Sequence, residues 1–372
     1  MYVYRLPWLL LITLVSARVS QASIFSDYIH GIEHLLSDIF GKIFGSTQTP
    51  PLKNPFQKNG TNLVLYWGQG SREEKRLAYY CEKGSAGIII IAFIADYTGG
   101  LRKSPVLNLS SHCDNVEHCP EVAADIKVCQ KRGIKVLLSL GGADGPYHTQ
   151  KWDPELLAWW VWNKFLGGND RTLKRPFGDV ILDGIDYDPE GTSGQGYDHH
   201  IDTLRKLFKT YYPSREFLVT AAPQCPDLET YPYNAVYNLL HPNPRYDAYP
   251  DMVFVQFYNN YCSASEYGRV GLFNFDEWDA WARKHGNITV YLGVLAKDNN
   301  MDTGYVNYNA LTHILDSIQY KPSFGGVMMW DARYAYDNPV ANLHGIQYGQ
   351  AAAEYLRQLM LKRGKGGHMN YI

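Results

Sequence analysis

Three acidic side chains at alternate positions are the residues of this chain best suited to do chemistry. Asp186, Asp188 and Glu190 follow an apolar run that starts at Val180, and this pattern predicts a strand buried on both faces. Side chains alternate along a strand, so the three carboxyl groups share one face at spacings of about 6.6 Å. Asp183 has the opposite parity, and we expect it to point elsewhere.

Carboxyl groups in such a row cannot all ionise at low cost. Mutual repulsion and desolvation must raise the pKa of at least one of them, which keeps a proton available near neutral pH. A proton held at that pH is what a general acid needs. The alternative is a solvated acidic loop, but an apolar run does not usually precede such a loop. The pattern therefore predicts a catalytic site.

The elements that position these acids alternate between strand and helix. Eight strand candidates lie at 62–66, 87–93, 134–140, 180–186, 217–222, 252–257, 290–294 and 325–330. Helical patterns lie near 72–82, 120–132, 154–166, 197–210, 232–240, 275–285, 305–319 and 345–361. Eight such units in one domain predict an α/β fold, a closed parallel (β/α)8 TIM barrel. An open doubly wound sheet is the second possibility, but Tyr66-Trp-Gly-Gln69 follows the first strand instead of Gly-x-Gly-x-x-Gly.

Polar and aromatic residues cluster at the carboxyl ends of the predicted strands, where barrel enzymes carry their chemistry. They are Tyr66, Trp67 and Gln69 after the first strand, 139–142 after the third, the three acids after the fourth, 221–224 after the fifth, Gln256, Tyr258 and Asn259 after the sixth, and Trp330 and Asp331 after the eighth. Packing explains any one aromatic residue on its own. Packing does not readily explain why all of these residues meet at one rim.

The bulk composition excludes some classes of partner. The net charge of −2 does not indicate nucleic acid or an acidic surface. Aromatic residues make up 14% of the 372 residues; most will pack in the core, although aromatic-rich chains also suit stacking on sugar faces.

The first 22 residues predict a secretory signal peptide. Arg5 precedes an apolar segment at 6–15, and a small-x-small motif ends at Ala22. This segment is too short to span a membrane, and no other stretch reaches about 18 apolar residues. We therefore expect a secreted protein, free or associated with a cell wall, without stable membrane insertion. Its potential glycan sites are Asn59, Asn108 and Asn287.

Residues 23–60 predict an amphipathic helix at 23–44 followed by a linker rich in proline and polar residues. The helix could pack on the main domain or self-associate, and the sequence leaves both open. A membrane-surface role is less favoured because its polar face is not rich in Lys or Arg. The main domain spans 61–361, and a basic tail follows at 362–372.

The cysteine count fits an oxidising compartment, since an even number suits three disulfides among 15 formal pairings. The six are Cys81, Cys113, Cys119, Cys129, Cys225 and Cys262. A metal site built from Cys113, Cys119 and the adjacent His112 and His118 is disfavoured, because no Cys-x-x-Cys pair is present. We expect no metal and no other cofactor.

These motifs together resemble family 18 glycoside hydrolases, specifically the class III plant (hevamine-like) and yeast-type chitinases. The family signature Asp-x-x-Asp-x-Asp-x-Glu stands here as Asp183-Gly-Ile-Asp186-Tyr-Asp188-Pro-Glu190. Further matches, in order, are Tyr66-Trp-Gly-Gln69, Leu138-Ser-Leu-Gly-Gly142, Thr220-Ala-Ala-Pro-Gln-Cys-Pro226, Val255-Gln-Phe-Tyr-Asn-Asn260 and Gly325-Gly-Val-Met-Met-Trp330. The resemblance covers residues 63–361. It implies endo-acting, retaining hydrolysis of chitin or N-acetylglucosamine oligomers, with the substrate's acetamide as nucleophile.

The resemblance also implies a role for each matching residue. Glu190 protonates the glycosidic oxygen and later activates water, Asp188 orients the acetamide, Asp186 shares a proton with Asp188, and Tyr258 donates to the acetamide oxygen. Trp330 forms the floor under the sugar. Residues implied to bind substrate by hydrogen bonds are Tyr66, Gln69, Gln256 and Asn259.

Covalent features follow from the same resemblance. It implies disulfides between Cys81 and Cys129, between Cys113 and Cys119, and between Cys225 and Cys262. It also implies non-proline cis peptide bonds after Ala92 and Trp330.

Pro189 departs from the family pattern, in which this position carries a backbone N–H. Proline has no backbone N–H to donate to a neighbouring strand, and it restricts the backbone angles of Asp188. It could also displace Glu190, and a shift of about 1 Å can cost on the order of 100-fold in rate. The alternative is therefore an inactive chitinase-like lectin or an inhibitor of other glycosidases. Retention of all three acids favours the enzyme. Sequence leaves the oligomeric state open, with a monomer expected.

Overall fold

The computed structural model describes residues 56–58, 60–98, 103–143, 145–146, 152–191, 196–229, 234–286 and 288–366. These residues belong to the unit Pro51–Ile372. The predicted signal peptide, the amphipathic helix at 23–44, most of the linker and residues 367–372 of the basic tail lie outside the described residues. Asn59 and Asn287 also lie outside them, whereas Asn108 is described and exposed.

Eight parallel strands close into a barrel. In chain order the strands of the described region are β1 (Asn62–Trp67), β2 (Ile88–Asp96), β3 (Val106–Leu107), β4 (Lys135–Gly142), β5 (Gly184–Pro189), β6 (Leu218–Ala221), β7 (Met252–Gln256), β8 (Thr289–Leu295) and β9 (Phe324–Trp330). The short β3 pairs antiparallel with β2 and stands outside the ring. The other eight follow the order β1-β2-β4-β5-β6-β7-β8-β9, and β9 pairs with β1 to close it. The predicted (β/α)8 barrel is confirmed.

Helices follow the strands around the outside of the barrel. They are α1 (Leu77–Lys83), α2 (Pro120–Lys131), α3 (Pro154–Phe165), α4 (Tyr197–Tyr211), α5 (Tyr237–Leu240), α6 (Phe275–Lys284), α7 (Tyr308–Ile318), α8 (Ala332–Ala335) and α9 (Tyr348–Gly366). The helix α9 extends five residues into the predicted tail, and α5 is only four residues long, much shorter than the predicted 232–240.

The fourth predicted strand, 180–186, has the wrong boundaries. The strand β5 begins at Gly184 and runs to Pro189. Residues before it are buried but bonded elsewhere: Arg175 Nη2 donates to the carbonyl oxygen of Val180 at 2.8 Å, and Leu182 N donates to Phe165 O at 3.1 Å. A run of apolar residues indicates that a segment is buried, but burial alone does not distinguish a strand from a packed loop.

The first predicted helix, 72–82, begins later than expected. The carboxylate of Glu74 accepts hydrogen bonds from the backbone N–H groups of Gly68 and Gly70, both at 3.0 Å. These bonds fold the chain back after β1, and α1 begins only at Leu77. Apolar spacing could not predict this side-chain contact.

The barrel has an inner and an outer apolar layer. Inner side chains include Val64, Ile90, Leu137, Phe254 and Met328, which fill the space enclosed by the strands. Side chains of the opposite parity pack between the strands and the helices. Apolar residues therefore fill the barrel interior, and polar groups replace them toward the carboxyl ends of the strands.

Three disulfides join the pairs that the resemblance implies. Cys81–Cys129 links α1 to α2, Cys113–Cys119 closes the loop before α2, and Cys225–Cys262 connects the loops after β6 and β7. Within the described ranges, no helix is long and apolar enough to cross a membrane.

Candidate active site

A cleft of about 420 Å³ opens at the carboxyl ends of the barrel strands. Seven of the predicted site residues line it: Asp188, Glu190, Tyr258, Gln69, Gln256, Asn259 and Trp330. Two others, Asp186 and Tyr66, are not among its lining residues and are almost fully buried. The convergence of strand ends therefore brings together most of the residues that the sequence singled out.

Asp186 lies beneath the cleft and is anchored by three hydroxyl groups. Tyr66 Oη and Ser139 Oγ donate to Oδ2 at 2.8 and 2.7 Å, and Thr220 Oγ1 donates to Oδ1 at 2.5 Å. Burial raises the pKa of Asp186, although the three donors favour the ionised form and oppose that rise. The carboxyl group of Asp186 is thus fixed in position and shielded from solvent.

Asp188 stands two residues further along β5, with 4% of its surface exposed. Gln256 Nε2 donates to its Oδ1 at 2.9 Å. Burial, followed by the charges of Glu190 and Asp186, raises the pKa of Asp188 well above its usual range. Asp188 therefore retains its proton to a higher pH than an ordinary carboxyl group.

Glu190 directly follows β5, is half-buried and lines the cleft. The pairing of β5 with β6 ends at Tyr187, which lies opposite Ala221. Pro189, the residue before Glu190, therefore pairs only with β4, where it lies opposite Gly142. Because no β6 residue pairs with Pro189, the lack of an N–H there breaks no pairing with β6. The acid after it stays within the cleft rather than turning into bulk water.

Gly141 lets β4 approach the acidic strand closely. Its φ is +119°, and a Cβ atom there would lie 2.3 Å from the carbonyl oxygen of Asp188. Only glycine combines that backbone angle with so short an approach. The position of Asp188 therefore depends on a residue that has no side chain.

Tyr258 and Trp330 also line the cleft. Burial, followed by the charges of Asp188 and Glu190, raises the pKa of Tyr258 well above its usual range, so its hydroxyl remains a donor. Trp330 packs against Tyr66 with ring centroids 5.7 Å apart. The peptide bonds Ala92–Phe93 and Trp330–Asp331 are cis, at the positions that the resemblance implies.

Several of the predicted substrate-binding groups make hydrogen bonds within the protein. Tyr66 donates to Asp186, as described above. Gln69 Nε2 donates to the carbonyl oxygens of Ala92 and Asn108 at 2.8 and 2.9 Å. Gln256 Nε2 also donates to Ala222 O at 3.0 Å. These side chains shape the cleft and hold its acids, besides any contact they make with a ligand.

Asn259 is likewise engaged with a loop of the protein. Its Nδ2 donates to Asp302 Oδ1 at 2.9 Å, and its Oδ1 accepts from Thr303 N at 2.7 Å. The φ of Asn259 is +59°, in the left-handed region that asparagine tolerates better than most residues. Asn259 thus ties the end of β7 to the loop after β8.

Sequence reasoning missed two acidic residues near the cleft. Asp302 lines it from the loop after β8, and no rim residue had been assigned to that strand. Asp227 is 6% exposed, and burial raises its pKa to about 6, with the charge of Glu190 adding to the rise. The sequence offers one signal for both residues, an acidic residue in the loop shortly after a predicted strand. This signal is weak because loops that follow strands often contain acidic residues.

The first acid of the signature, Asp183, lies outside the cleft, as its parity predicts. Its Oδ2 accepts from Val136 N at 3.1 Å and from Gln130 Nε2 at 2.9 Å, before β5 begins. In the part of the chain that the structure describes, no group of three or more His, Cys, Asp or Glu side chains is arranged to hold a metal ion. The cysteines Cys113 and Cys119, considered above as metal ligands, are bonded to each other.

Chemically, the cleft combines a half-buried carboxyl group, a second carboxyl group that resists ionisation, and a phenol that remains protonated. The first, Glu190, can exchange a proton with a bound molecule. The second, Asp188, retains its proton to a higher pH than an ordinary carboxyl group, and the charge of the anchored Asp186 contributes to that shift. Such a set suits cleavage of a bond whose leaving group needs a proton and whose intermediate is positively charged.

Comparisons with known proteins show what this chain is similar to. A sequence model described as "Glycosyl hydrolases family 18" matches residues 62–305. Chitinase 2 from Rhizopus oligosporus is 39% identical over 300 residues, which cover 76% of this chain and 51% of that protein. Acidic endochitinase SE2 from Beta vulgaris is 36% identical over 278 residues, covering 74% of this chain and 88% of that protein. This chain therefore spans about half the length of the Rhizopus relative and most of the Beta relative.

A solved structure gives a third similarity. The xylanase and α-amylase inhibitor protein XAIP-II from Scadoxus multiflorus matches with a TM-score of 0.62 and 28% identity, covering 81% of this chain and 98% of that one. Proteins similar to this chain thus include two named as chitinases and one named as an inhibitor. The fold therefore does not decide between the two activities, and the residues of the cleft must.

Proposed function

The chain belongs to glycosyl hydrolase family 18, and on that premise we propose that it is an endo-acting chitinase. Its substrates would be chitin and β-1,4-linked N-acetylglucosamine oligomers, hydrolysed with retention of configuration. One observation carries the proposal: Glu190 and Asp188 line one cleft, and burial and neighbouring charges raise the pKa of Asp188 well above its usual range.

In the proposed first step, Glu190 donates its proton to the glycosidic oxygen as the C1–O bond breaks. The carbonyl oxygen of the sugar's own acetamide forms a bond to C1, which gives a positively charged oxazolinium ring. Asp188 passes its proton to Asp186, accepts the acetamide N–H and stabilises the positive charge. Burial, which raises the pKa of Asp186, supports its part as the proton's second position, and the three hydroxyl groups hold the carboxyl group in place.

In the second step, the ionised Glu190 takes a proton from water, and the resulting oxygen nucleophile attacks C1. The bond from C1 to the acetamide oxygen breaks, which restores the acetamide and leaves the β-anomer. Two inversions at C1 give net retention. These steps draw on the side chains of the cleft and on the substrate itself.

Binding roles follow from position in the cleft. We assign Trp330 to the floor beneath the sugar at the cleavage point and Tyr258 to a hydrogen bond with the acetamide oxygen. The remaining polar groups of Gln69, Gln256 and Asn259 would contact sugar hydroxyl or acetamide groups. Tyr66 would act beneath the substrate, through Asp186.

We also propose that the protein is secreted, free or in a cell wall. The three disulfides and the signal-like segment at the amino end support an oxidising compartment. Detection of the protein in culture medium with its chain cleaved after Ala22 would test this, and retention inside cells would contradict it.

The activity is tested with N-acetylglucosamine hexamer between pH 3 and 8. We expect shorter oligomers whose first-formed anomer, followed by proton NMR, is β. Glu190→Gln should lower kcat by about 10²–10⁴-fold, the contribution of a general acid at the leaving group. Glu277→Gln, an exposed position on α6, serves as control and should retain activity. A wild-type protein that releases no product across this range would sink the proposal.

A second candidate is a binding protein of the same fold, such as a lectin or a glycosidase inhibitor. The likeness to XAIP-II and the proline at position 189 favour it. Saturable binding of the hexamer without hydrolysis would select a lectin. Inhibition of a xylanase or an amylase by the purified protein would select an inhibitor.

A further inference from the structure

The cleft contains a carboxylate for which the proposed mechanism has no use. Asp302 lies in the loop between β8 and α7 and lines the cleft together with Asp188 and Glu190. It is half-buried, and it is close enough to Tyr258 for its charge to raise the pKa of that phenol, after burial and the two catalytic acids. The loop also packs against the end of β7, where a Cβ atom at Gly304 would come within 3.1 Å of Tyr258 Cα.

Two amide groups hold the carboxylate of Asp302 in a defined orientation. Asn259 Nδ2 donates to Oδ1 at 2.9 Å, and Asn299 Nδ2 donates to Oδ2 at 2.7 Å. Asn299 Oδ1 in turn accepts from Asp302 N at 2.9 Å. An ionised carboxylate offers about four acceptor positions, so one donor on each oxygen leaves capacity for a further donor from the cleft.

The titratable side chains that line the cleft beside this carboxylate are all acidic. Of the residues that line the cleft in the described structure, three are carboxylic acids and none is Lys, Arg or His. Asp302 also forms no salt bridge among the described residues, whereas the nearby Lys297 pairs with Asp337. A cation entering the cleft would therefore meet the Asp302 carboxylate without a competing protein cation among the lining residues.

We propose that Asp302 determines specificity by binding the ammonium group of a glucosamine unit, so that the cleft favours partly deacetylated chitin. This inference rests on the proposed hydrolysis. The amine cannot occupy the cleavage point, because the mechanism needs an acetamide there, and it must therefore lie in a neighbouring sugar site. The two fixed carboxylate oxygens then accept N–H bonds that the neutral acetamide of chitin cannot make as strongly.

The competing explanation is that Asp302 only ties the loop to Asn259. A purely structural hydrogen bond between Asn259 and Asp302 would affect the hydrolysis of all substrates alike, since it sets the shape of the cleft. A specificity determinant would affect the ratio of kcat/KM between an oligomer that carries an amine and one that does not. The two roles are therefore separable by measurement.

The experiment compares two hexamers, one fully N-acetylated and one with a single internal glucosamine unit. Wild-type kcat/KM should be higher for the second hexamer, and the preference should shrink as salt is raised from 50 mM to 500 mM. Asp302→Asn should reduce the ratio of the two kcat/KM values by about 10-fold, the scale of one charge-assisted hydrogen bond. Asp298→Asn, which removes an exposed charge from the same loop outside the cleft, is the matched control and should leave the ratio as in wild type.

An unchanged ratio in Asp302→Asn, whether activity is kept or falls equally on both hexamers, would overturn the inference. If the wild type hydrolyses neither hexamer, the proposed function fails, and the specificity is decided by binding instead. Calorimetric titration of wild type and Asp302→Asn with each hexamer would then give the same ratio from dissociation constants. Equal affinity of wild type for the two hexamers would refute a role for Asp302 in recognising an amine.

Discussion

Gln256 Nε2 donates a hydrogen bond to Asp188 Oδ1 at 2.9 Å, and the same nitrogen donates to the carbonyl oxygen of Ala222 at 3.0 Å. The amide therefore approaches the acid as a donor, and the proton that Asp188 retains is favoured on its other oxygen, Oδ2. Because Gln256 opposes the rise in the pKa of Asp188, it also limits how tightly Asp188 holds that proton. The hydrogen bond from Gln256 therefore affects both the orientation and the proton affinity of Asp188, the residue that we propose assists the acetamide.

Replacing Gln256 by alanine should lower kcat more than it changes KM. The change removes a hydrogen bond to a group that is charged during the reaction, which typically contributes about 1.5–3 kcal/mol, equivalent to roughly 10- to 100-fold in rate. Gln224→Ala is the control, because Gln224 lines the same cleft but its side chain bonds Asn260 rather than Asp188. Equal losses in the two variants would contradict a specific role for Gln256.

Substitution of Gly141 by alanine should disturb the acidic strand. A Cβ atom there would lie 2.3 Å from Asp188 O, so β4 or β5 has to move, and the acids move with it. We expect a loss of about 3 kcal/mol in unfolding free energy, combining overpacking with an unfavourable backbone angle, and a fall in kcat of about 100-fold. Urea unfolding and hexamer kinetics measure the two effects.

Gly286→Ala isolates the contribution of the backbone angle. Gly286 has a φ of +103°, close to the +119° of Gly141, and a Cβ atom there would meet nothing within 4 Å. The Gly286→Ala variant should lose only about 1 kcal/mol of unfolding free energy, the cost of the backbone angle, and it should keep its activity. If Gly141→Ala behaved like Gly286→Ala, close packing against Asp188 would not be what holds the acid in place.

The sequence predicted the barrel well because strands and helices leave periodic patterns. It failed at β5, where Val180 and Leu182 are buried but bonded to Arg175 and to α3 instead of a neighbouring strand. It also failed to predict β3, whose two residues are too few to show a period. Hydrophobic spacing carries no information about the hydrogen bonds that keep 180–182 out of the strand.

The site was predictable to the extent that it depends on strand ends. Parallel strands bring their carboxyl ends to one rim, so the sequence alone predicts that Asp188, Tyr258 and Trp330 lie close together. Loops obey no such rule. The contact between Asn259 and Asp302 joins the ends of two strands through loop conformations that sequence spacing does not determine.

Asp331 should make stability depend on pH. It caps α8, accepting from Tyr334 N at 3.0 Å, and is 4% exposed. Burial raises its pKa to about 7, and the charge of Glu74 adds to the rise. An unfolded aspartate has a pKa of about 3.9, so between about pH 4 and 7 the folded chain holds a proton that the unfolded chain has lost. The contribution to stability is complete below about pH 4 and is lost as the pH rises to about 7.

Asp331→Asn removes this titration while keeping a residue that caps helices well. A difference of about three pKa units corresponds to at most about 4 kcal/mol, so the variant should gain stability relative to wild type as the pH rises from 4.5 to 8. Urea unfolding at several pH values measures this difference. Asp153→Asn is the control, because Asp153 caps α3 in the same way but is exposed. Parallel stability curves for Asp331→Asn and wild type would disprove the prediction.

Asp227 should affect the alkaline side of the pH–rate profile. Burial raises its pKa to about 6 with help from the charge of Glu190, and its own charge contributes to the raised pKa of Asp188. Above about pH 6 the wild type carries this negative charge, which favours the protonated form of Asp188. Asp227→Asn removes it, so Asp188 should lose its proton at lower pH.

We expect the alkaline limb of kcat/KM for Asp227→Asn to move to lower pH by up to about 1 unit, and the two profiles to coincide below about pH 6, where wild-type Asp227 is itself neutral. Asparagine can still accept the hydrogen bond that Gln224 N donates to Asp227 at 2.7 Å, so the turn should keep its shape. Glu229→Gln changes an exposed charge in the same turn and should leave the profile in place. An alkaline limb that stays fixed in Asp227→Asn, or moves equally in both variants, would show that Asp227 does not act on the catalytic acids.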